Sequence, residues 1–207
     1  MQRISCFDFD GTITTKDTLL EFIRYTWGTS RFVRGFLIHS PLLVLMKLHL
    51  YSNARAKEKI FTYFFGGETM EEFNAQCTRF ARNNGKLLRE PAKTCLQTAL
   101  RNGEQVYIIS ASIDNWVKPF FGWADEVRDA MASGQLQVLG TCVAEKEGKI
   151  TGRFLTANCY GQEKVNRLTE KMTQPRQEVH ITAYGDSRGD KEMLAYADQG
   201  YFKPFRR

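Results

Sequence analysis

The fold is decided by a six-residue stretch near the start of the 207-residue sequence, Phe7-Asp8-Phe9-Asp10-Gly11-Thr12. The stretch follows a short apolar run that begins at Ile4, and such a run ending in polar residues is typical of a buried strand. Residues two apart on a strand point to the same face, so the Asp8 and Asp10 carboxylates are expected to crowd one site. Two carboxylates so placed repel each other unless they share a proton or a cation. The stretch therefore predicts a polar site at the carboxyl end of a strand.

The residue types in this stretch favour a magnesium ion and a phosphoryl group. Mg²⁺ prefers oxygen ligands and also binds phosphate oxygens, so it would let the Asp8 and Asp10 carboxylates share one site. One carboxylate can attack phosphorus, and the other can protonate the leaving alcohol. Gly11 allows the backbone N–H groups to approach a phosphate closely.

The remainder of the chain predicts an α/β fold with a helical insertion. Strands are expected at 105–110, 137–144, 149–155 and 179–184, and helices at 91–100, 114–121, 162–172 and 191–197. Strands that alternate with helices favour a parallel sheet with helices on both faces. From Thr14 to about Leu87 the pattern is helical throughout, with a break expected at Pro41. We expect a core built from residues 1–13 and 88–207, and an α-helical cap, 14–87, inserted after the first strand.

A hydroxyl and a lysine follow the first segment in the chain. Ser110 closes the predicted strand 105–110, where a hydroxyl can bind a phosphate oxygen, and Ser112 is a nearby alternative. Lys164 lies in the first turn of a predicted helix, where its charge opposes the helix dipole. That position calls for an anionic partner, and a phosphoryl group together with the Asp8 and Asp10 pair would supply one.

An acidic loop, Gly185-Asp186-Ser187-Arg188-Gly189-Asp190, directly follows the strand 179–184. Ligands of open α/β sheets bind at the carboxyl ends of strands, so this loop is expected to meet Asp8. Two acids in such a loop are typical of one direct metal ligand and one outer carboxylate that supports it.

The order of these segments, nucleophile, hydroxyl, lysine and acidic loop, resembles the haloacid dehalogenase (HAD) superfamily over the whole chain. The helical insertion resembles the cap of subfamily IB, which includes phosphoserine phosphatase. The resemblance implies a Rossmann-like core and Mg²⁺-dependent hydrolysis of a phosphomonoester, either a small metabolite or a lipid, through an aspartyl-phosphate. The implied roles are Asp8 as nucleophile and metal ligand, Asp10 as acid/base with its carbonyl on the metal, Phe9, Gly11, Thr12, Ser110, Ala111 and Lys164 around the phosphoryl group, Asp186 on the metal, and Asp190 supporting the metal's waters and Lys164.

The sequence departs from phosphoserine phosphatase at three places. Asp17 stands nine residues after the nucleophile, where those enzymes tend to carry Glu, so Asp17 is a candidate specificity residue. The acidic loop lacks their Gly-Asp-Gly-x-Asn-Asp pattern, and Ser110-Ala-Ser112 replaces their Ser-Gly-Gly. The run Cys159-Tyr-Gly-Gln-Glu-Lys-Val and the basic, leucine-rich cap are more similar to the phosphatidylglycerophosphatase C type of the same subfamily. That resemblance implies, as an alternative, a lipid phosphatase at the membrane surface.

The basic residues of the chain are concentrated in the predicted cap. Lys and Arg number 29 against 23 Asp and Glu, and between Phe22 and Gly67 seven basic residues stand against Glu58 alone. Such a field favours an anionic partner, which could be a phosphorylated small molecule, a membrane surface or nucleic acid; nucleic acid is not the expected one. Within the segment 32–50, the twelve residues from Gly35 to Met46 carry no formal charge. A helix needs about 20 apolar residues to span a bilayer, so this run is too short to do so. The segment is either a pair of packed cap helices or an interfacial hairpin on anionic headgroups.

A few residues also bear on other functions of the superfamily and on the cellular compartment. A dehalogenase would lack Asp10, and an ion pump would need transmembrane helices, whereas a phosphomutase uses the same two aspartates. A non-catalytic module that binds anions or lipid stays open as a different class. The polar start, Met1 to Cys6, and five cysteines without metal-site spacing favour a reduced, cytoplasmic protein, with the inner membrane face as a peripheral location. The sequence leaves the oligomeric state open.

Overall fold

A parallel sheet forms the centre of the protein in the computed structural model, which describes residues 1–206. The strands are β1 (Gln2–Phe7), β2 (Gln105–Ile113), β3 (Leu136–Thr141), β4 (Val143–Lys146), β5 (Lys149–Phe154), β6 (Val179–Gly185) and β7 (Gln199–Phe202). Five of them form the sheet in the order β3-β2-β1-β6-β7, and every neighbouring pair is parallel. The first strand in the sequence thus lies at the centre, where Ile4, Cys6 and Phe7 are buried.

Helices cover both faces of this sheet. They are α1 (Thr18–Ile38), α2 (Ser40–Lys47), α3 (Asn53–Phe65), α4 (Met70–Asn83), α5 (Glu90–Arg101), α6 (Asp114–Val117), α7 (Asp125–Ser133), α8 (Gln162–Lys171) and α9 (Lys191–Tyr196). Apolar residues of α8 and α9 pack on one face, next to Ile4 and Ile109. Residues of α5 and α7 pack on the other face, next to Val106 and Ile108. The predicted α/β fold, a parallel sheet between two helical layers, is confirmed.

Helices α1 to α4 form a helical insertion between β1 and β2. Its aromatic side chains, among them Phe22, Phe61 and Phe80, belong to the same apolar cluster as the α5 and α7 face of the sheet. The segments that lead into and out of the insertion lie side by side: the Thr15 amide donates to the Leu87 carbonyl at 2.8 Å, and Arg89 returns a bond of 2.8 Å to Ile13. The division into a core of 1–13 and 88–207 and a cap of 14–87 stays a prediction.

Two strand predictions differ from the structure. The single strand expected at 137–144 is divided into β3, which stays in the sheet, and β4, which leaves it to form an antiparallel hairpin with β5. The Thr141 hydroxyl, which donates to the Ala111 carbonyl at 2.9 Å, anchors the end of β3 at the point of division. Strand β2 continues to Ile113 rather than ending at Ser110, with irregular pairing to β3 between Ile109 and Ile113.

The insertion also differs from expectation at its first two helices. Pro41 does not break a helix but occupies the first turn of α2, where its missing N–H costs nothing. The break between α1 and α2 falls at His39 instead. Helix α1 lies close against α3 at Gly35, where a Cβ atom would collide with the Phe64 ring. Among residues 1–206, no helix combines the length and the apolar character that crossing a bilayer requires.

Candidate active site

Asp8 lies directly after β1, with its side chain almost fully buried. Its Oδ1 accepts a hydrogen bond from Lys164 Nζ at 2.6 Å, and its Oδ2 accepts one from the Thr12 hydroxyl at 3.1 Å. Burial raises the pKa of Asp8 to about 7, although the charge of Lys164 opposes the rise. A cation beside the carboxylate would favour the ionised form, which is the form that can act as a nucleophile.

Lys164 connects Asp8 to the acidic loop. Its Nζ also donates to Asp190 Oδ1 at 2.5 Å, and only 2% of the residue is exposed. Burial alone would lower the pKa of Lys164, but Asp8 and Asp190 more than offset this and hold the pKa above its usual range. The Gly161 amide donates to the Gly189 carbonyl at 2.9 Å, which fixes the start of α8 against the acidic loop. The expected anionic partners of this first-turn lysine are therefore two carboxylates of the protein itself.

Asp190 organises the acidic loop. Burial would raise the pKa of Asp190, but the Lys164 charge and hydrogen bonds hold it below its usual range. Its Oδ2 accepts bonds from the Asp186 amide at 3.1 Å and from the Ser187 amide and hydroxyl, both at 2.9 Å. With three hydrogen bonds on Oδ2 and the Lys164 ammonium on Oδ1, Asp190 is better suited to support a metal ligand than to be one.

Asp186 lies across from Gly11, so the first and fourth segments touch. Gly11 has a φ of +78°, and a Cβ atom there would collide with the Asp186 carboxylate. The glycine is therefore required both by its backbone conformation and by the close approach. Asp186 is half-buried and paired with Arg206; its pKa is raised by burial, and Arg206 opposes that rise.

Three carboxylates converge at this point. Within residues 1–206, one oxygen from each of Asp8, Asp186 and Asp190 can be chosen so that all lie within 4.8 Å of one another. Carboxylate oxygens are the hard donors that Mg²⁺ prefers. The donor set fits such an ion, with Asp8 and Asp186, which accept fewer hydrogen bonds than Asp190, as the acids that would bind it. The Asp10 carboxylate does not belong to this cluster.

The Asp10 side chain is held by the neighbouring elements. Its Oδ1 accepts from the Thr18 amide at 2.7 Å and the Thr18 hydroxyl at 2.6 Å, and its Oδ2 accepts from the Ser112 hydroxyl at 2.5 Å. Thr18 in turn accepts from the indole Nε1 of Trp116 at 3.1 Å. The two aspartates do not share one face of a strand, because the chain turns after Asp8. Asp10 still lines the same cavity as Asp8.

The remaining candidates for phosphate binding divide into two groups. Gly11, Ser110 and Ala111 line the cavity beside Asp8. The Ser110 hydroxyl accepts from the Ser112 amide at 3.0 Å. Phe9 and Thr12 do not point toward open space: the Phe9 ring packs on Phe120 and Phe121, and the Thr12 hydroxyl is bound to Asp8. Only the backbone of Phe9 is left for the site.

The cavity of about 560 Å³ is closed on its other side by α1, α2 and α3. Apolar side chains form most of that wall, including Leu20, Phe36, Leu43, Met46 and Ile60.

Two charged groups of the insertion, Asp17 and Lys57, also line the cavity. Asp17 caps α1 by accepting from the Leu20 amide at 3.2 Å. Water reaches Asp17 through the cavity, yet protein surrounds it; this burial raises its pKa, with Asp10 adding to the rise and Lys57 opposing it. Burial lowers the pKa of Lys57, and Asp10 and Asp17 counter that shift. Lys57 Nζ donates to the Ala111 carbonyl.

Sequence reasoning did not place Lys57, Thr18, Trp116 or Arg206 at the site. Lys57 had a usable signal, because it occupies the helical stripe that continues through Phe61 and Phe64, where an apolar residue is expected. The contact between Thr18 and Trp116 left no signal in the sequence, since 98 positions separate the two residues in the chain.

The fold and the site together define an α/β protein with an acidic, lysine-linked site beneath a helical insertion. The haloacid dehalogenase-like hydrolase family matches residues 6–195, and the chain belongs to that family. It is 32% identical over 205 residues to the protein CicA of Caulobacter vibrioides, covering 97% of this chain and 85% of the relative.

Two solved structures are similar in fold. A protein of unknown function from Bordetella pertussis Tohama I superposes with a TM-score of 0.76 at 20% identity, covering 94% of this chain and 86% of that one. A phosphoserine phosphohydrolase-like protein from Francisella tularensis superposes with a TM-score of 0.64 at 15% identity, covering 98% and 86%. Membership of the hydrolase family makes the chain an enzyme, and these likenesses show the architecture that carries its site.

Proposed function

We propose that this hydrolase is a Mg²⁺-dependent phosphomonoester phosphatase of subfamily IB, with Asp8 as its nucleophile. One observation carries the proposal: the buried Lys164 ammonium bridges Asp8 and Asp190 beside Asp186. These three acids face two cations, Lys164 and the Arg206 that pairs with Asp186, and the remaining excess of negative charge is one that a divalent cation would compensate. Asp8 and Asp186 would hold the ion, and when bound it would neutralise the phosphoryl oxygens and favour ionised Asp8.

The reaction then divides into two displacements at phosphorus. A carboxylate oxygen of Asp8 forms a bond to phosphorus while the bond from phosphorus to the leaving oxygen breaks, and Asp10 donates the proton that the leaving alkoxide takes up. Asp10 next accepts a proton from a water that attacks the aspartyl-phosphate, which releases inorganic phosphate and restores Asp8. Lys164 stabilises the negative charge throughout, because its position beside Asp8 is fixed by Asp190.

The cavity wall supports a substrate whose leaving group is partly apolar. Phe36, Leu43 and Met46 line the side opposite Asp8, whereas Asp17 and Lys57 offer charges to a polar part of the leaving group. This favours a lipid phosphomonoester of the phosphatidylglycerophosphate type over a small phosphorylated metabolite, which stays the alternative. Phosphoserine is disfavoured, because its serine leaving group has almost no apolar surface for this wall to contact.

The test is hydrolysis of a generic aryl phosphate by the purified chain, with and without Mg²⁺. We expect activity that a chelator removes and added Mg²⁺ restores. Asp8→Asn should abolish turnover, because an amide cannot form the aspartyl-phosphate. Asp10→Asn should lower kcat about 10²- to 10⁴-fold through loss of the acid/base.

No turnover in the wild type would leave the non-catalytic anion-binding module as the better description. Full turnover in Asp8→Asn would contradict the role of Asp8 as the nucleophile. Comparing phosphatidylglycerophosphate with amino-acid, sugar and nucleotide monophosphates then identifies the substrate. A preference for a water-soluble monophosphate would contradict the lipid form of the proposal.

A further inference from the structure

The outer part of the helical insertion carries a concentration of exposed apolar side chains. We call residues 33–50 the tip: the last turns of α1, all of α2 and the residues that follow it. Of the fourteen large apolar residues that are exposed among residues 1–206, seven belong to the tip: Val33, Leu37, Ile38, Val44, Leu45, Leu48 and Leu50. Leu50 is 73% exposed and Leu37 is 67% exposed. An apolar patch this concentrated on an otherwise polar surface is typical of an interaction site.

The tip leaves most of its apolar residues outside the core, although Phe36 and Leu43 pack against it. No residue of α2 is buried, although the helix consists almost entirely of apolar residues. Its inner side, through Leu43 and Met46, contributes to the wall of the active-site cavity, while Val44, Leu45 and Leu48 face outward. The tip is therefore apolar on both sides, and its inner surface continues into the site that contains Asp8.

Basic side chains lie within the tip and along the cavity that follows it. Arg34 and Lys47 lie within it, and both are exposed. A second cavity, of about 500 Å³, begins directly after the tip at Tyr51 and is lined by Arg55, Lys59 and Arg153. Among the described residues, none of these basic groups forms an ion pair with an acid. The one acid of that cavity, Glu58, accepts from the Phe154 amide instead.

We propose that the tip docks on an anionic membrane surface. Its leucines would enter the boundary between headgroups and acyl chains, and Arg55, Lys59 and Arg153 would contact the phosphate groups of the lipids. The charge selects this occupant, because exposed apolar residues beside basic groups that form no ion pair among the described residues complement an anionic lipid surface. This docking goes beyond phosphatase activity, since it needs neither Mg²⁺ nor turnover.

The test is co-sedimentation of the chain with vesicles in the presence of a chelator, so that no turnover contributes. We expect the chain to pellet at low salt with vesicles of phosphatidylcholine plus phosphatidylglycerol, but not with phosphatidylcholine alone. The double variant Leu48→Glu/Leu50→Glu should weaken binding at least about tenfold, because each leucine would leave the apolar boundary. Arg55→Gln/Lys59→Gln should weaken it about 25-fold, or about fivefold for each basic group removed.

Matched controls come from the core. Phe202→Glu changes an equally exposed apolar residue on β7, and Lys171→Gln changes an exposed lysine at the end of α8; both should bind vesicles like the wild type. All variants should hydrolyse a soluble aryl phosphate at the wild-type rate, because none of the changed residues lines the active-site cavity.

Three outcomes would overturn the proposal. The wild type could remain in the supernatant with anionic vesicles at low salt, or the tip variants could pellet as well as the controls. A dimer that Leu48→Glu/Leu50→Glu dissociates, without vesicle binding, would instead assign the tip to a contact between two copies of the chain. If the wild type did not hydrolyse the aryl phosphate, the proposed function would be contradicted, and these binding outcomes would be unaffected.

Discussion

The floor of the active-site cavity and the tip of the insertion differ in how their side chains are partnered. At the floor, Lys164, Asp8 and Asp190 are buried, and the Lys164 ammonium donates a hydrogen bond to each of the two carboxylates. At the tip, apolar side chains such as Leu48 are exposed and the nearby cations are unpaired among the described residues. The difference indicates that contacts within the chain hold the floor together, whereas the tip would be completed by the membrane surface that we propose.

Among the variants that test this contrast between the floor and the tip, Lys164→Met is expected to have the largest effect. The change leaves Asp8 and Asp190 buried without their shared cation, which should reduce aryl phosphate turnover by about 10³-fold. It should also lower the free energy of unfolding by about 3 kcal/mol in the absence of metal. Urea denaturation and steady-state kinetics measure both. Lys171→Met, at the exposed end of the same helix, is the control and should change neither quantity.

Gly11→Ala tests the contact between the first and fourth segments. The new methyl group would displace the Asp186 carboxylate, and a displacement of this size should reduce turnover about 100-fold. Gly103→Ala is a matched control, because Gly103 also has a positive φ but has no atom in the way. That control should cost about 1 kcal/mol of stability and leave turnover unchanged. Equal turnover in the two variants would contradict the role given to the close approach.

Trp116→Phe tests a link between the floor and the insertion. It removes the bond from the indole Nε1 to the Thr18 hydroxyl, which itself donates to Asp10. We expect kcat to fall about fivefold with KM unchanged, as for the loss of one neutral hydrogen bond that positions the acid/base. Trp123→Phe is the control, since the Trp123 indole N–H has no partner among residues 1–206. A change in KM alone would argue for a structural role instead.

The smallest effect is expected from Leu37→Ser at the tip. Because Leu37 is exposed, the free energy of unfolding should stay within about 0.5 kcal/mol of the wild type. Phe22→Ala, in the buried cluster of the same helix, should cost about 3 to 5 kcal/mol. Urea denaturation of both variants sharpens the contrast, and a large loss in Leu37→Ser would show that the tip stabilises the fold.

Much of the fold could be predicted because each core strand ends in a recognisable signal. The run before Asp8, the strand before the acidic loop and the alternating helices were sufficient to indicate a parallel sheet covered on both faces. Strand β7 was missed because its four residues are exposed and show no apolar pattern. The division of the strand at 137–144 was missed because it depends on Thr141, whose contact with Ala111 exists only in the folded protein.

The site was predictable where a residue type was unusual for its position. Lys164 stood out in the first turn of a helix, and Asp8 and Asp10 stood out as a close acidic pair. The orientation of Asp10 was not predictable, since it depends on Thr18 and Ser112, which come from other elements. The metal, the roles of the residues and the substrate stay predictions, which the proposed experiments test.

The central position of β1 has a consequence for synthesis on the ribosome. Lys164 meets Asp8 across 156 positions, and β6, a neighbour of β1, is made near the end of the chain. The insertion is translated long before these partners exist. Pairings so distant in sequence form late and slowly. The site around Asp8 therefore forms only after Lys164 and β6 have been made, and a nascent fragment without them, however well its helices fold, does not contain the assembled site.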